Sequence, residues 1–236
     1  MSNQPDPQTK CPLILSHDRL DEAHYFLHEM IRAYHHPQPF RFYTNAFLHS
    51  TKSFLDMLRI DLEKIGENTW RKTRVDRLKE DPLFKSFSRG RDIVVHRGSL
   101  VRGSSVELGL FKYHKIKFAI STDVKTDEPS HDLLHRIQNN PSSNMFVHPD
   151  HPFIGEQLGV KRTYREKALS TEHDVLTASD LAWRRVQQVL ADSHDHLNIV
   201  PDIAEKECIE WHAVHHHDTW LETDADPSLI EKWGWD

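Results

Sequence analysis

The chain has 236 residues, 37% hydrophobic and 28% charged, which supports one domain with insertions or a small appendage. A net charge of -6 excludes tight nonspecific nucleic-acid binding by the molecule as a whole, so any RNA contact needs a local basic patch. Two cysteines exclude a disulfide framework, and no apolar run approaches the ~20 residues of a membrane helix, so a cytoplasmic protein with no membrane contact is expected.

Residues 1–15 read as a flexible arm rich in Pro, Gln and Asn. Met1 to Lys10 has no apolar stretch of the kind a signal peptide carries. Ser16 and Asp18 are helix N-cap types, and Leu20, Ala23, Phe26, Leu27, Met30, Ile31 and Tyr34 recur at three- and four-residue spacing, predicting a helix over 17–35. Pro37 and Pro39 separate it from the next. Phe40, Tyr43, Phe47, Phe54, Met57, Leu58, Leu62 and Ile65 then trace one stripe up to Gly66, predicting a long second helix and an antiparallel hairpin of the two.

A short charged helix is predicted over 67–80. Asp81-Pro82 pairs an N-cap with a proline at the first helical position. The helix that follows runs to Gly98 and carries Arg91 and His96 in its last turns. The period then changes to two. Val106, Leu108, Leu110 and Ile116, Phe118, Ile120 alternate, predicting a β-hairpin over 105–121. Residues 123–170 read mostly as loop, with a short helix near 131–138. A helix is predicted over 172–196 and another over 202–216, and four of the six tryptophans follow residue 210.

The fold class expected from these elements is mainly α, an up-and-down helical bundle with a β-hairpin insertion. Residues 1–15 would be the arm, 16–200 the bundle with the insertion at about 103–170, and 201–236 a Trp-rich helical tail.

The segment Arg91-Asp92-Ile93-Val94-Val95-His96 carries the most compact catalytic set in the chain. A guanidinium can hold phosphoryl oxygens and an imidazole can move protons near neutral pH, so the two suffice to cleave RNA without a metal or cofactor. The long helix opening Phe40-Arg41-Phe42-Tyr43-Thr44-Asn45-Ala46-Phe47-Leu48, then Asp81-Pro82-Leu83 and Arg91-Asp92-Ile93-Val94-Val95-His96-Arg97-Gly98, resemble the HEPN superfamily. Its signature is Arg, a polar residue, three or more further positions, then His; the polar residue is most often Asn, and here it is Asp92. The resemblance covers about residues 17–100, with 172–196 as a fourth helix.

It implies a dimeric, metal-independent endoribonuclease of toxin–antitoxin or antiviral-defence type. Arg91, His96 and Asp92 would form the catalytic set and Arg89, Arg97 and Arg102 would bind RNA. A regulatory protein is a further expected partner. The alternative implied by the same resemblance is a non-catalytic binding or accessory module. A third, weaker reading places a metal on Cys208, His212 and His216, at four-residue intervals on the predicted terminal helix. The second basic set, Lys161, Arg162, Arg165 and Lys167, and the run Asp192-Ser193-His194-Asp195-His196 both read as solvated surface.

Overall fold

In the computed structural model, which describes residues 11–97, 103–145, 147, 152–199 and 216–235, the apolar stripes of the first two helices meet face to face. Helix α1 (Ile14–Arg32) buries Leu20, Ala23, Leu27, Met30 and Ile31. Helix α2 (Pro37–Lys64) answers with Phe40, Phe47, Leu48, Phe54, Leu55, Leu58 and Leu62. Each of the Leu, Ile, Met and Phe side chains among them is worth roughly 1.5–3 kcal/mol when removed from water. Pro37 and Pro39 sit in the first turn of α2, where a missing N–H goes unused. Thr44 and Thr51 also enter this core, because their hydroxyls donate to the carbonyls of Phe40 and Phe47, each at 2.8 Å.

Helix α3 (Asn68–Glu80) contributes Val75 and Leu78. Helix α4 (Pro82–Arg97) contributes Phe84 and Phe87. Its start is fixed by Asp81, whose carboxylate accepts the N–H of Phe84 at 3.0 Å.

Strands β1 (Gly103–Lys112) and β2 (Lys115–Val124) form the expected hairpin. They pair from Ser104↔Val124 to Lys112↔Lys115, with a register shift between Leu110 and Phe111. Helix α5 (Ser130–Gln138) follows, then a 3-10 turn (Pro141–Met145) and strand β3 (Glu156–Arg165). Helix α6 (Val175–Leu197) returns to the helices and packs on α1. Its N-cap, Asp174, accepts the N–H groups of Leu176 and Thr177 at 2.9 and 3.0 Å. Strand β4 (Thr219–Leu221) and the short helices α7 (Glu222–Ala225) and α8 (Leu229–Trp233) complete the chain.

The strands make one antiparallel sheet in the order β2-β1-β3-β4. A second core forms where Val106, Leu158 and Val160 of the sheet meet Leu133 and Leu134 of α5. Tyr164 of β3 joins this unit to the helical core, with its ring stacked on Phe40 at 4.3 Å and edge-on to Tyr34 at 5.2 Å.

The up-and-down bundle with a hairpin insertion is therefore incorrect as a fold class. The architecture is mixed, a helical layer joined to a four-stranded antiparallel sheet that carries its own helix. The error lies in β3, within the stretch expected to be loop. Its alternation is masked by Gly159 and by polar residues that turn out buried, Gln157 and Arg162. Gly159 is required there, because a Cβ would stand 2.6 Å from Leu221 Cδ2 and 2.8 Å from Phe111 Cδ2. From residue 216 the described chain is a turn, strand β4 paired with β3, and two short helices. Glu222 accepts the N–H of Leu158 at 2.7 Å and the Gln138 amide at 2.9 Å. Residues 202–215 of the helix expected over 202–216, and most of the arm, lie outside the described residues. Among the described residues, no helix is long and apolar enough to cross a membrane.

Candidate functional site

Helix α4 turns Phe84, Phe87 and Gly90 inward, and this fixes where its charged residues point. At ~3.6 residues per turn, Arg91 and His96 diverge by about 140° around the axis. Arg91 lies at the edge of the buried stripe, with its side chain 33% exposed and its Nη1 donating to Asp92 Oδ1 at 3.2 Å. Its Nε is buried and has no hydrogen-bond partner among the described residues. His96 is exposed on the outer face. Arg89, seven positions earlier and also exposed, lies only about 20° from His96. The outer stripe of α4 thus groups Arg89 with His96, while Arg91 falls on the opposite side, within about 20° of buried Phe84. Arg97 ends the helix; its side chain and the whole of Arg102 lie outside the described residues.

A second polar cluster lies between the helices and the sheet. Arg162, read from sequence as solvated surface, is fully buried. Its position on β3 aims it at the segment leading into α5. Nε donates to Ser104 Oγ at 3.0 Å, Nη1 to the Glu128 carbonyl, and Nη2 to the Lys125 carbonyl at 3.3 Å. The guanidinium also covers the Tyr164 ring at 4.7 Å from its centroid. Nη1 reaches Ser130 Oγ at 3.5 Å, and that hydroxyl lies 2.8 Å from Nδ1 of His35. Burial drives the His35 pKa down from 6.5 to about 3, with Arg162, His217 and His36 adding to the effect against a backbone hydrogen bond at His217. Every member of this cluster is engaged in holding the β2–α5 connection against the helices, which is a structural role.

The third cluster was missed in the sequence. Cys11 precedes α1, His17 lies in its first turn, and His194 lies in the last turn of α6. His194, read as solvated, is 4% exposed. Cys11 Sγ is 3.5 Å from His17 Nε2 and 3.3 Å from His194 Nε2, and the two Nε2 atoms are 3.0 Å apart. Burial raises the pKa of the Cys11 thiol, opposed by a backbone hydrogen bond at Leu13. Burial and the neighbouring His17 lower that of His194, opposed by Asp195. These are ligand types that could hold a metal. The anchor of α1 lies alongside: the Ser16 N–H and hydroxyl both donate to buried Asp61 at 2.9 Å.

Of the metal set suggested by sequence, Cys208 and His212 lie outside the described residues, and His216 stands in the turn before β4, its ring stacked on His114 at 4.2 Å. The signal that could have found the third cluster is faint. It is one of two cysteines placed six residues before a histidine, at a helix start.

The profile of one protein family, described as Bacteriophage lambda protein ea47, matches residues 4–219. No curated protein and no solved structure matches the chain significantly.

Proposed function

The chain belongs to the family of bacteriophage lambda protein ea47, and from the residues of α4 we propose that it is a HEPN-like, metal-independent endoribonuclease that works as a pair of copies. The observation that carries the reading is the outer stripe of α4, where exposed Arg89 and His96 stand together, with half-buried Arg91 on the opposite side of the helix. A single copy diverges Arg91 from His96 and does not present both to one phosphate. Two copies apposed along α4 would bring the arginines of one to the histidine of the other. Val95, apolar and 45% exposed on the same turn, suits that apposition.

In that seam one His96 takes the proton of an RNA 2′-hydroxyl while the other protonates the departing 5′-oxygen, a role worth ~10²–10⁴-fold. The guanidiniums of Arg89 and Arg91 meet the charge that develops on the phosphorus oxygens. The ends formed are a 2′,3′-cyclic phosphate and a 5′-hydroxyl. Toxin or antiviral-defence action in the cytoplasm, held in check by a regulatory protein over the same face, is the role we assign to this chemistry.

Two observations favour the rival reading of a non-catalytic accessory module: Asp92 engages Arg91, and the net charge is -6. The deciding experiment incubates labelled RNA with the full chain in excess chelator, with folding and oligomeric state measured in the same buffer. Cleavage that persists in chelator, leaves cyclic-phosphate ends and falls at least ~100-fold in His96→Ala supports the nuclease. Intact RNA beside a folded, paired protein assigns the chain to the accessory class.

A further inference from the structure

We propose that Cys11, His17 and His194 form a binding site for one divalent transition-metal ion of the zinc class, with the fourth coordination position open to water. The argument begins with the shape of the cluster. Around a tetrahedral zinc, with sulfur at ~2.3 Å and imidazole nitrogen at ~2.0–2.1 Å, a sulfur and a nitrogen stand ~3.6 Å apart and two nitrogens ~3.3 Å apart. The three edges here are 3.5, 3.3 and 3.0 Å. The donor atoms therefore already occupy one face of such a tetrahedron.

Hydrogen bonding alone does not account for this triangle. An imidazole nitrogen either carries a proton in the ring plane or offers one lone pair there; it cannot do both. Here both rings present the same atom, Nε2, to each other and to one sulfur. The protons available can fill two edges well and leave the third as a contact of like character. A cation at the centre faces all three lone pairs at once. Binding takes one proton from the Cys11 thiol and leaves both imidazoles neutral, so the site gains one net positive charge. Buried Asp61, close enough to act electrostatically on Cys11, partly offsets that charge.

The elements supply the needed rigidity. Side chains in a first helical turn tilt towards the helix N-terminus, which brings His17 to Cys11. The grip of Asp61 on Ser16 fixes that turn against α2. His194 comes from α6, 183 positions away from Cys11. A bound ion thus ties the chain ahead of α1 to the end of α6, and stability becomes linked to metal.

The test uses the metal-free full chain titrated with Co2+, whose thiolate charge-transfer band reports a sulfur ligand. The chain has only two cysteines, so the sulfur can be assigned by substitution. One equivalent of Co2+ should bind and give the band. Cys11→Ser should abolish it, Cys208→Ser should leave it intact, and His17→Ala should weaken binding by more than the ~10–100-fold that loss of an outer-shell partner costs. Zn2+ should raise the Tm of the unmodified chain and of Cys208→Ser, but not that of Cys11→Ser. A natively folded chain without the band overturns the proposal. So does a band that survives Cys11→Ser and vanishes in Cys208→Ser. If Cys11→Ser proves misfolded, the Cys208→Ser and His17→Ala results decide.

Discussion

Acid should weaken this fold through one imidazole in particular. His35 is 6% exposed and lies against Ser130 and Arg162, with His36 and His217 close by. In the folded chain it resists protonation down to about 3, whereas its ordinary value is 6.5. As pH falls through 6.5 the unfolded chain takes up a proton there and the folded chain does not. The neutral side chain therefore contributes stability that is complete above that value and is lost progressively as pH falls towards 3. The loss steepens to ~1.4 kcal/mol per pH unit and, between about pH 7.5 and pH 5, integrates to about 2 kcal/mol.

The measurement is the urea midpoint of the wild type and of His35→Asn at several pH values. Asparagine keeps a polar atom near Nδ1 for Ser130 but does not titrate. His194, whose pKa is also lowered, acts in the same direction in both proteins and cancels in the difference. The expected outcome is that His35→Asn loses about 2 kcal/mol less than the wild type over this interval. Equal losses in the two proteins would refute the reasoning.

Two further outcomes test the scaffold. Asp174→Ala removes both hydrogen bonds of the α6 cap and should cost about 0.5–2 kcal/mol, read as a lower Tm; an unchanged Tm would show that α6 does not depend on the cap. Gly109→Ala places a Cβ 2.0 Å from the Phe118 carbonyl oxygen and 2.6 Å from Ala119 Cα. It should cost roughly 1–3 kcal/mol and speed amide exchange across β1 and β2 while the amides of α2 keep their protection.

The helices were legible because their cores are periodic. Phe40, Phe47, Phe54, Leu58 and Leu62 declare α2 without help from any other segment, and all are fully buried. Asp81-Pro82 announced the start of α4 in the same local way. β3 was not legible because its pattern makes sense only beside its neighbours. Arg162 is tolerated in the interior because Ser104 and two carbonyls receive it, and Gln157 because its side-chain oxygen accepts the N–H of Thr223 at 2.9 Å. The Cys11–His17–His194 cluster was hidden for a related reason. Its members are brought together by the packing of α6 on α1, whereas Cys208, His212 and His216 attracted notice through spacing alone. Arg91 and His96 were visible as residue types and their divergence follows from helix periodicity, but that Arg91 falls on the buried side of α4 depends on the packing of Phe84 and Phe87.

The order of elements bears on how the chain emerges from a ribosome. Helices α1 to α4 are complete by residue 97, yet α6, which covers α1, begins at Val175. At ~5–20 residues per second, the stretch 98–174 takes roughly 4–15 s to translate. Throughout that interval the nascent hairpin of α1 and α2 holds an oily flank whose mate has not been made. Premature termination in this stretch releases a fragment with the flank bare, the kind of species that chaperones hold and proteases remove.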